Sequence, residues 1–514
     1  MAKDKSHHPL MINRRDWLKL GGAALVGSAA ALKATDALSQ VCTTGNCPVP
    51  PPACSGAITE VFPTSPLILS PWTDELPIPQ ALAPVARSVY SGWTTPPDPR
   101  TGGINDSDGS VHQVGTSALS LRDPLVYKID VKVGPHSFTS SKVKTLVDYT
   151  LGGTLIPAGT IANLPQSTIY GFNGAFPGPR INAEYGYPAL VRFENHLDDA
   201  SNPYNCLDRQ DFGAPDCAFL THLHNGHTTP ESDGNPNYKP GAYQPGEWVD
   251  NLYLNWPAAG DPREMQSFLW FHDHRMDHTG ANVYKGMVGL FPIYDGDKDR
   301  GNEADTASYR LPGVRTNNVN GSFDVAYDIP LAFYDCRLDD GATQHQDFHN
   351  GCAETHPEWW GKTYFRHLPN HGFVGDIFTV NGKAFPYKVV NRRRYRLRFL
   401  DASIARQYEL KLMRADDVQS FPGQLGQYNL VRKDASGAFT RGGEQCMKMA
   451  QIAAEGGLLT YPFLRNSVEI WPAKRREVIV DFSKYMDGSP TKPGDVVYLT
   501  NILPMDTGRK ANDG

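Results

Sequence analysis

No cysteine in this chain stands next to a histidine, and no apolar run approaches the roughly 20 residues that a membrane-spanning helix needs. Long amphipathic segments of helical period are missing as well. Charge is scarce and nearly balanced. Charged residues make up 20% and the net charge is −6, so neither nucleic acid nor an anionic membrane is expected as a partner. The one basic stretch, Arg392, Arg393, Arg394, Arg396 and Arg398, alternates with Tyr395, Leu397 and Phe399 and reads as one solvated strand face. A Gly-x-Ser-x-Gly nucleophile elbow is absent. Gly361-Lys362-Thr363 mimics the end of a phosphate loop, but His356 sits where that loop requires its first glycine.

What is there points to strands. The 514 residues suffice for about two to four domains with a large core. The 48 glycines and 41 prolines favour turns and short strands. From Leu125 onward, runs such as Leu125-Val126-Tyr127-Lys128-Ile129-Asp130-Val131, Ala189-Leu190-Val191-Arg192-Phe193 and Met287-Val288-Gly289-Leu290-Phe291 are bounded by turn signals. The expected class is all-β and sandwich-like. Residues 41 to about 120, rich in Pro, Thr, Ser and Gly, form a loop-dominated extension. A weak repeat pairs Asn173-Gly174-Ala175-Phe176-Pro177 and Leu190 to Asn195 with Asn381-Gly382-Lys383-Ala384-Phe385-Pro386 and Tyr395 to Asp401. Two copies of one sandwich are therefore expected, over 121–300 and 326–514, joined by a linker at 301–325.

Two short motifs carry chemistry. His222-Leu223-His224 and His272-Asp273-His274 each follow apolar, strand-like residues. Side chains at i and i+2 of a strand leave one face, so each pair aims two imidazoles into one space. Imidazole is the commonest neutral ligand for copper, zinc, iron and nickel. A lone histidine is more often a satisfied core or surface residue, but two such pairs among 16 histidines mark a metal site. His227 falls on the opposite strand face if that strand continues, and is expected near the site or on the surface; His278 is left open.

The N-terminus reads as an address. Asn13-Arg14-Arg15-Asp16-Trp17-Leu18-Lys19 precedes an Ala/Gly-rich run from Leu20 to Leu32, with small residues at Ala37 and Ser39. This resembles a twin-arginine export signal, spanning 1–39 with cleavage before Gln40, and it implies a folded, periplasmic or extracellular product. An uncleaved signal anchor is the alternative. Export would place the eight cysteines where disulfides persist. Cys206 with Cys217, and Cys336 with Cys352, are close enough in sequence to close short loops, while Cys42, Cys47 and Cys54 lie in the Pro-rich leader and Cys446 has no obvious partner.

These motifs, together with Ser232-Asp233-Gly234, Asn282-Val283-Tyr284-Lys285-Gly286, Val380-Asn381-Gly382-Lys383, Glu455-Gly456-Gly457 and Val478 to Phe482, resemble the multicopper oxidases of the spore-coat laccase and bilirubin oxidase type, over about residues 165 to 505. The resemblance implies cupredoxin-like Greek-key domains and copper as cofactor. It implies that a reducing substrate gives electrons singly to a type 1 copper, and that a trinuclear cluster reduces O₂ to water. Position by position, it implies that His222 serves the type 2 copper and that His224, His272 and His274 serve the type 3 pair. Asp233 matches the family's acidic residue beside the cluster, which helps supply protons; its plainer reading is a turn-forming Asp before Gly234.

The departures from the pattern matter as much. The family's His-Pro-x-His-x-His and His-Cys-His segments have no counterpart here, so the thiolate of a type 1 site is missing. The expectation is therefore the first two domains of an oxidase, the second incomplete after Asn501, with half of the trinuclear ligands and a third domain on a continuation or separate chain. An inactive copper-binding or scaffold protein is the competing expectation. A metallohydrolase is the lesser one, since Gly226 stands where its His-x-His-x-Asp-His pattern needs Asp. Neither the substrate nor the oligomeric state is legible.

Overall fold

The computed structural model describes residues 65, 67–86, 99–115, 121–145, 148–151, 154–199, 217–338, 345–346, 353–354, 373–414, 419–422, 428–433, 439–441, 445–505 and 508. The expected export signal, the leader cysteines, Cys206, Cys352 and the Gly361-Lys362-Thr363 segment lie outside the described residues. Among the described residues no helix is long and apolar enough to cross a membrane.

The fold class is all-β, as expected. Eight strands build the first sandwich: β1 (Leu125–His136), β2 (Ser167–Phe172), β3 (Ala183–Glu184), β4 (Ala189–Asn195), β5 (Thr221–His224), β6 (Trp248–Tyr253), β7 (Phe268–Asp273) and β8 (Val288–Tyr294). They form two four-stranded sheets, ordered β6-β4-β1-β2 and β5-β7-β8-β3. Apolar side chains alternating along each strand fill the space between the sheets. Phe271 of β7 is fully buried there, with ring centroids 4.9 Å from Phe172 and 5.8 Å from Phe193. Truncating such a ring costs about 3–5 kcal/mol. One short helix, α1 (Thr279–Lys285), links β7 to β8 and ends on Gly286, whose φ of 120° suits glycine.

The second sandwich holds a seven-stranded sheet of β9 (Asp328–Cys336), β10 (Ile377–Val380), β11 (Lys383–Ala384), β12 (Arg394–Asp401), β14 (Met449–Ala454), β15 (Gly457–Arg465) and β17 (Arg475–Asp481), ordered β11-β10-β9-β12-β17-β14-β15. Facing it are β13 (Tyr408–Arg414), β16 (Val468–Ile470) and β18 (Val497–Asn501), ordered β16-β13-β18. The repeat noted in the sequence corresponds to a repeat in space. Asn173 and Asn381 both sit at positive φ, 58° and 48°. The Asn173 side chain accepts from the Asp130 amide at 2.9 Å, and the Asn381 side chain accepts from the Ala332 amide at 2.8 Å. In each copy the strand so pinned pairs in parallel with the later repeated strand, β1 with β4 and β9 with β12.

One expectation fails. Arg396 and Arg398 are not on a solvated face; both are fully buried. Arg398 forks onto Asp328 at 2.7 and 2.6 Å, and Arg396 meets Asp299 at 2.7 Å and Glu477 at 2.5 Å. The strand is apolar toward its own sandwich and ionic toward the first sandwich, so both faces are covered. Cys336, whose disulfide connectivity the sequence left open, is a fully buried free thiol, and its burial raises its pKa well above the usual value. Cys217 is disulfide-bonded.

The two sandwiches share a second core. Trp270, Val288 and Leu290, on the outer face of the β5-β7-β8 sheet, pack in one cluster with Tyr334, Cys336 and Leu400 of the second sandwich. The extension crosses both: the Leu76 amide bonds the Tyr387 carbonyl, the Leu82 amide the Arg180 carbonyl, and Asp106 bridges to Val249.

Candidate metal centre

Strands β5 and β7 run antiparallel in a register that sets His222 opposite His272 and His224 opposite Trp270. The alternate residues, Leu223, Leu269 and Phe271, point into the first sandwich's core and fix that register. The imidazoles therefore share the other face. One ring nitrogen from each of His222, His224 and His272 lies within 4.8 Å of the others, a spacing that a single ion or a close pair of ions can bridge. His224 Nδ1 and His272 Nε2 approach to 3.2 Å. His274 lies past the end of β7 and outside this three-way cluster. Its ring centroid is still only 5.0 Å from that of His222, and its buried Nδ1 has no hydrogen-bond partner among the described residues.

Backbone carbonyls set the tautomers. His222 donates from Nδ1 to the Asp233 carbonyl, and His272 donates from Nδ1 to the Asp273 carbonyl at 2.7 Å. In both rings Nε2 keeps its lone pair for a ligand bond, the arrangement that orients metal-binding histidines. Burial favours the neutral form of His224, His272 and His274. The His224 pKa is pushed down to about 3, by burial first and then by the positive charge of Arg475, with His222, Lys474 and His274 adding to it. His272, fully buried beside His222, is lowered well below the ordinary value, and His274 is lowered by burial and by His222.

Asp233 is near but does not join the ring cluster. Its Oδ1 lies 3.5 Å from His222 Nδ1 and accepts from the Thr228 hydroxyl at 3.0 Å. Burial raises its pKa, but the hydrogen bonds and charge of His222 and Thr228 outweigh this and keep it below the usual carboxylate range. His227 is outside the cluster because Asn225, at φ 63°, ends the strand; its Nδ1 lies 3.2 Å from the Trp256 carbonyl.

Sequence reasoning missed three participants. Trp270 stacks on His272 with centroids 4.1 Å apart, and lies 5.5 Å from His224; its place two residues before His272 was the available signal. Asp273, fully buried, ties the site together: its carboxylate accepts from the Leu220 amide at 2.9 Å, the Arg275 amide at 3.0 Å and Asn282 at 3.1 Å. Its pKa is raised by burial to about 6. Arg475, from the second sandwich, reaches the loop after His224 and carried no sequence signal at all.

A laccase of Bacillus subtilis is 28% identical over 335 residues, covering 63% of this chain and 52% of the laccase. Multicopper oxidase LPR1 homolog 1 of Oryza sativa subsp. japonica is 32% identical over 265 residues, covering 49% and 39%. In sequence the chain is a relative of the multicopper oxidases. A bilirubin oxidase of Albifimbria verrucaria is 28% identical over 324 residues, covering 63% of this chain and 41% of its own length. The chain thus spans about half the length of the curated relatives it matches. No family profile matches it. Among solved structures, a laccase from Pediococcus acidilactici superposes with a TM-score of 0.46 at 18% identity, covering 84% of this chain and 61% of that one.

Proposed function

We propose that the chain supplies one half of a trinuclear copper site, within a laccase-like oxidase that couples one-electron oxidation of a reducing substrate to reduction of O₂ to water. The observation that carries this reading is the shared face of β5 and β7, where His222, His224 and His272 converge and burial lowers the pKa of His224 and His272. His222 is assigned to the type 2 position, and His224, His272 and His274 to the type 3 pair. The donor set fits copper: imidazole suits it, and every assigned ring is buried or half-buried with a lowered pKa or an oriented Nδ1. Bound copper would supply the electron transfer to oxygen.

The remaining chemistry belongs to the protein. Asp233, half-buried beside His222, is placed to hand protons inward, since oxygen reduction consumes them in a site largely closed to water. Trp270 roofs His272 and His224 and excludes water from that side. The other ligands, and the thiolate through which electrons enter, are proposed to come from a further segment or a partner chain, because no cysteine here stands beside a histidine. Export by the twin-arginine route is proposed on Arg14 and Arg15, and the Cys217 disulfide supports an oxidising compartment. The test is to co-express the chain with candidate partners and record copper content and oxygen uptake with a phenolic reductant. Uptake that needs both chains and disappears in His272→Ala supports the reading; uptake unchanged in that variant overturns it.

A further inference from the structure

The turn whose Asp233 carbonyl accepts the His222 Nδ1 hydrogen bond is itself held by a buried acid outside the ring cluster. Glu231 is two residues before Asp233, and its side chain is fully enclosed. One carboxylate oxygen accepts from the Gln113 amide at 2.8 Å and from the Thr229 hydroxyl, and lies 3.7 Å from His112 Nδ1. Burial pushes its pKa up, but His112, Thr229 and Gln113 outweigh that and hold it ionised. The rest of the turn is equally constrained. The Ser232 hydroxyl accepts from the Leu252 amide at 3.0 Å, and a Cβ on Gly234 (φ 70°) would collide with the Thr221 carbonyl.

Behind β5, on the side away from the imidazoles, Glu231, Thr221, Gly234 and Asn251 line a cavity of about 10 Å³. Glu231 Oε2 and Thr221 Oγ1 are both buried, and neither meets a hydrogen-bond partner among the described residues. A cavity of this size takes one water, and a water needs such polar partners to stay. Thr221 directly precedes His222, so the cavity touches both the turn that orients the ring and the strand that carries it.

We propose that Glu231 is a positioning residue for His222, anchoring the 230–234 turn to the extension at Gln113 and to Thr221 through one internal water. The Asp233 carbonyl, set by that turn, then fixes the Nδ1–H tautomer and leaves Nε2 for the metal. The proposal rests on the copper reading for its consequence but not for its geometry. Glu231 touches no reacting atom.

The test uses the whole chain as Glu231→Asp and Glu231→Gln, with histidine-selective ¹⁵N labelling and Cu(II) titration. Gln keeps the length and an acceptor for Gln113, whereas Asp withdraws the carboxyl by one methylene. The expected result is loss of the hydrogen-bonded His222 Nδ1 proton signal in the Asp variant, with copper affinity down about tenfold or more, the usual scale for groups that orient a ligand. The Gln variant should keep the signal and bind within about threefold of wild type. An unchanged His222 signal in Glu231→Asp, or equal losses in both variants, would overturn the proposal. If wild type took up no copper, the copper reading would fall, while the His222 proton signal would still decide the role of Glu231.

Discussion

Arg475 of the second sandwich donates to the Asn225 side chain at 2.7 Å, in the residue that follows His224. The same guanidinium donates to the Phe268 carbonyl at 3.0 Å, where β7 begins. One buried cation thus joins the strand that carries His224 to the strand that carries His272. Its pKa falls to about 10, because burial outweighs the pull of Glu455 and Glu477.

Removing that cation should therefore loosen the site as well as the interface. Arg475→Ala leaves the Phe268 and Ala473 carbonyls and the Asn225 side chain without their donor. Hydrogen bonds to charged groups are worth about 1.5–3 kcal/mol each, so the loss should be at least about 2–4 kcal/mol. Urea melts of the copper-free chain check the stability, and a copper titration of the folded variant should show weaker binding. A loss below about 1 kcal/mol would mean that these contacts do not join the sandwiches.

Asp328→Ala should cost about 3–5 kcal/mol, because it strands the buried Arg398 guanidinium without its forked partner. Replacing Arg398 and Asp328 together by apolar residues of similar volume should recover much of that loss. Denaturant midpoints of the single and double variants decide it, and additive losses would contradict the pairing.

The Arg396 and Arg398 ion pairs also mark where sequence reasoning stopped. Alternation with Tyr395, Leu397 and Phe399 located a strand correctly, and the His-x-His pairs located the shared face of β5 and β7. Alternation cannot tell a solvated face from one covered by another sandwich. The partners Asp299, Asp328 and Glu477 lie 97, 70 and 81 residues away in sequence. The site's local parts were legible because a strand's period is two. Glu231, Asp273 and Arg475 were missed because their roles depend on what folds against them.

The copper-free chain should lose stability in acid. His224 and His136 have pKa values lowered to about 3 and about 4, in each case chiefly by burial. Unfolded, each titrates near 6.5, so below that pH the unfolded state binds more protons and is favoured. The stability held above about pH 6.5 should fall as pH drops toward about 4 and below. Melting temperatures across that range check this, and bound copper, which needs neutral rings, should raise stability near neutral pH and leave the acid decline at least as steep. A flat profile without copper would contradict the burial of these rings.

If the proposed oxidase assembles, Asp233→Asn should slow its oxygen reduction while leaving copper content near normal, because the carboxylate lies beside His222 without joining the clustered ring nitrogens. Turnover measured against copper occupancy separates the two effects. Parallel losses would make Asp233 a turn residue and nothing more.

The imidazoles on the shared face of β5 and β7 are proposed to hold copper. Cu(II) titration of the full chain, followed by electron paramagnetic resonance, decides this. Wild type should show a nitrogen-coordinated copper signal, and His222→Ala, His224→Ala and His272→Ala should each weaken binding while circular dichroism shows the same β-sheet fold. Wild-type binding that survives in all three variants, or no nitrogen-coordinated signal at all, would contradict it.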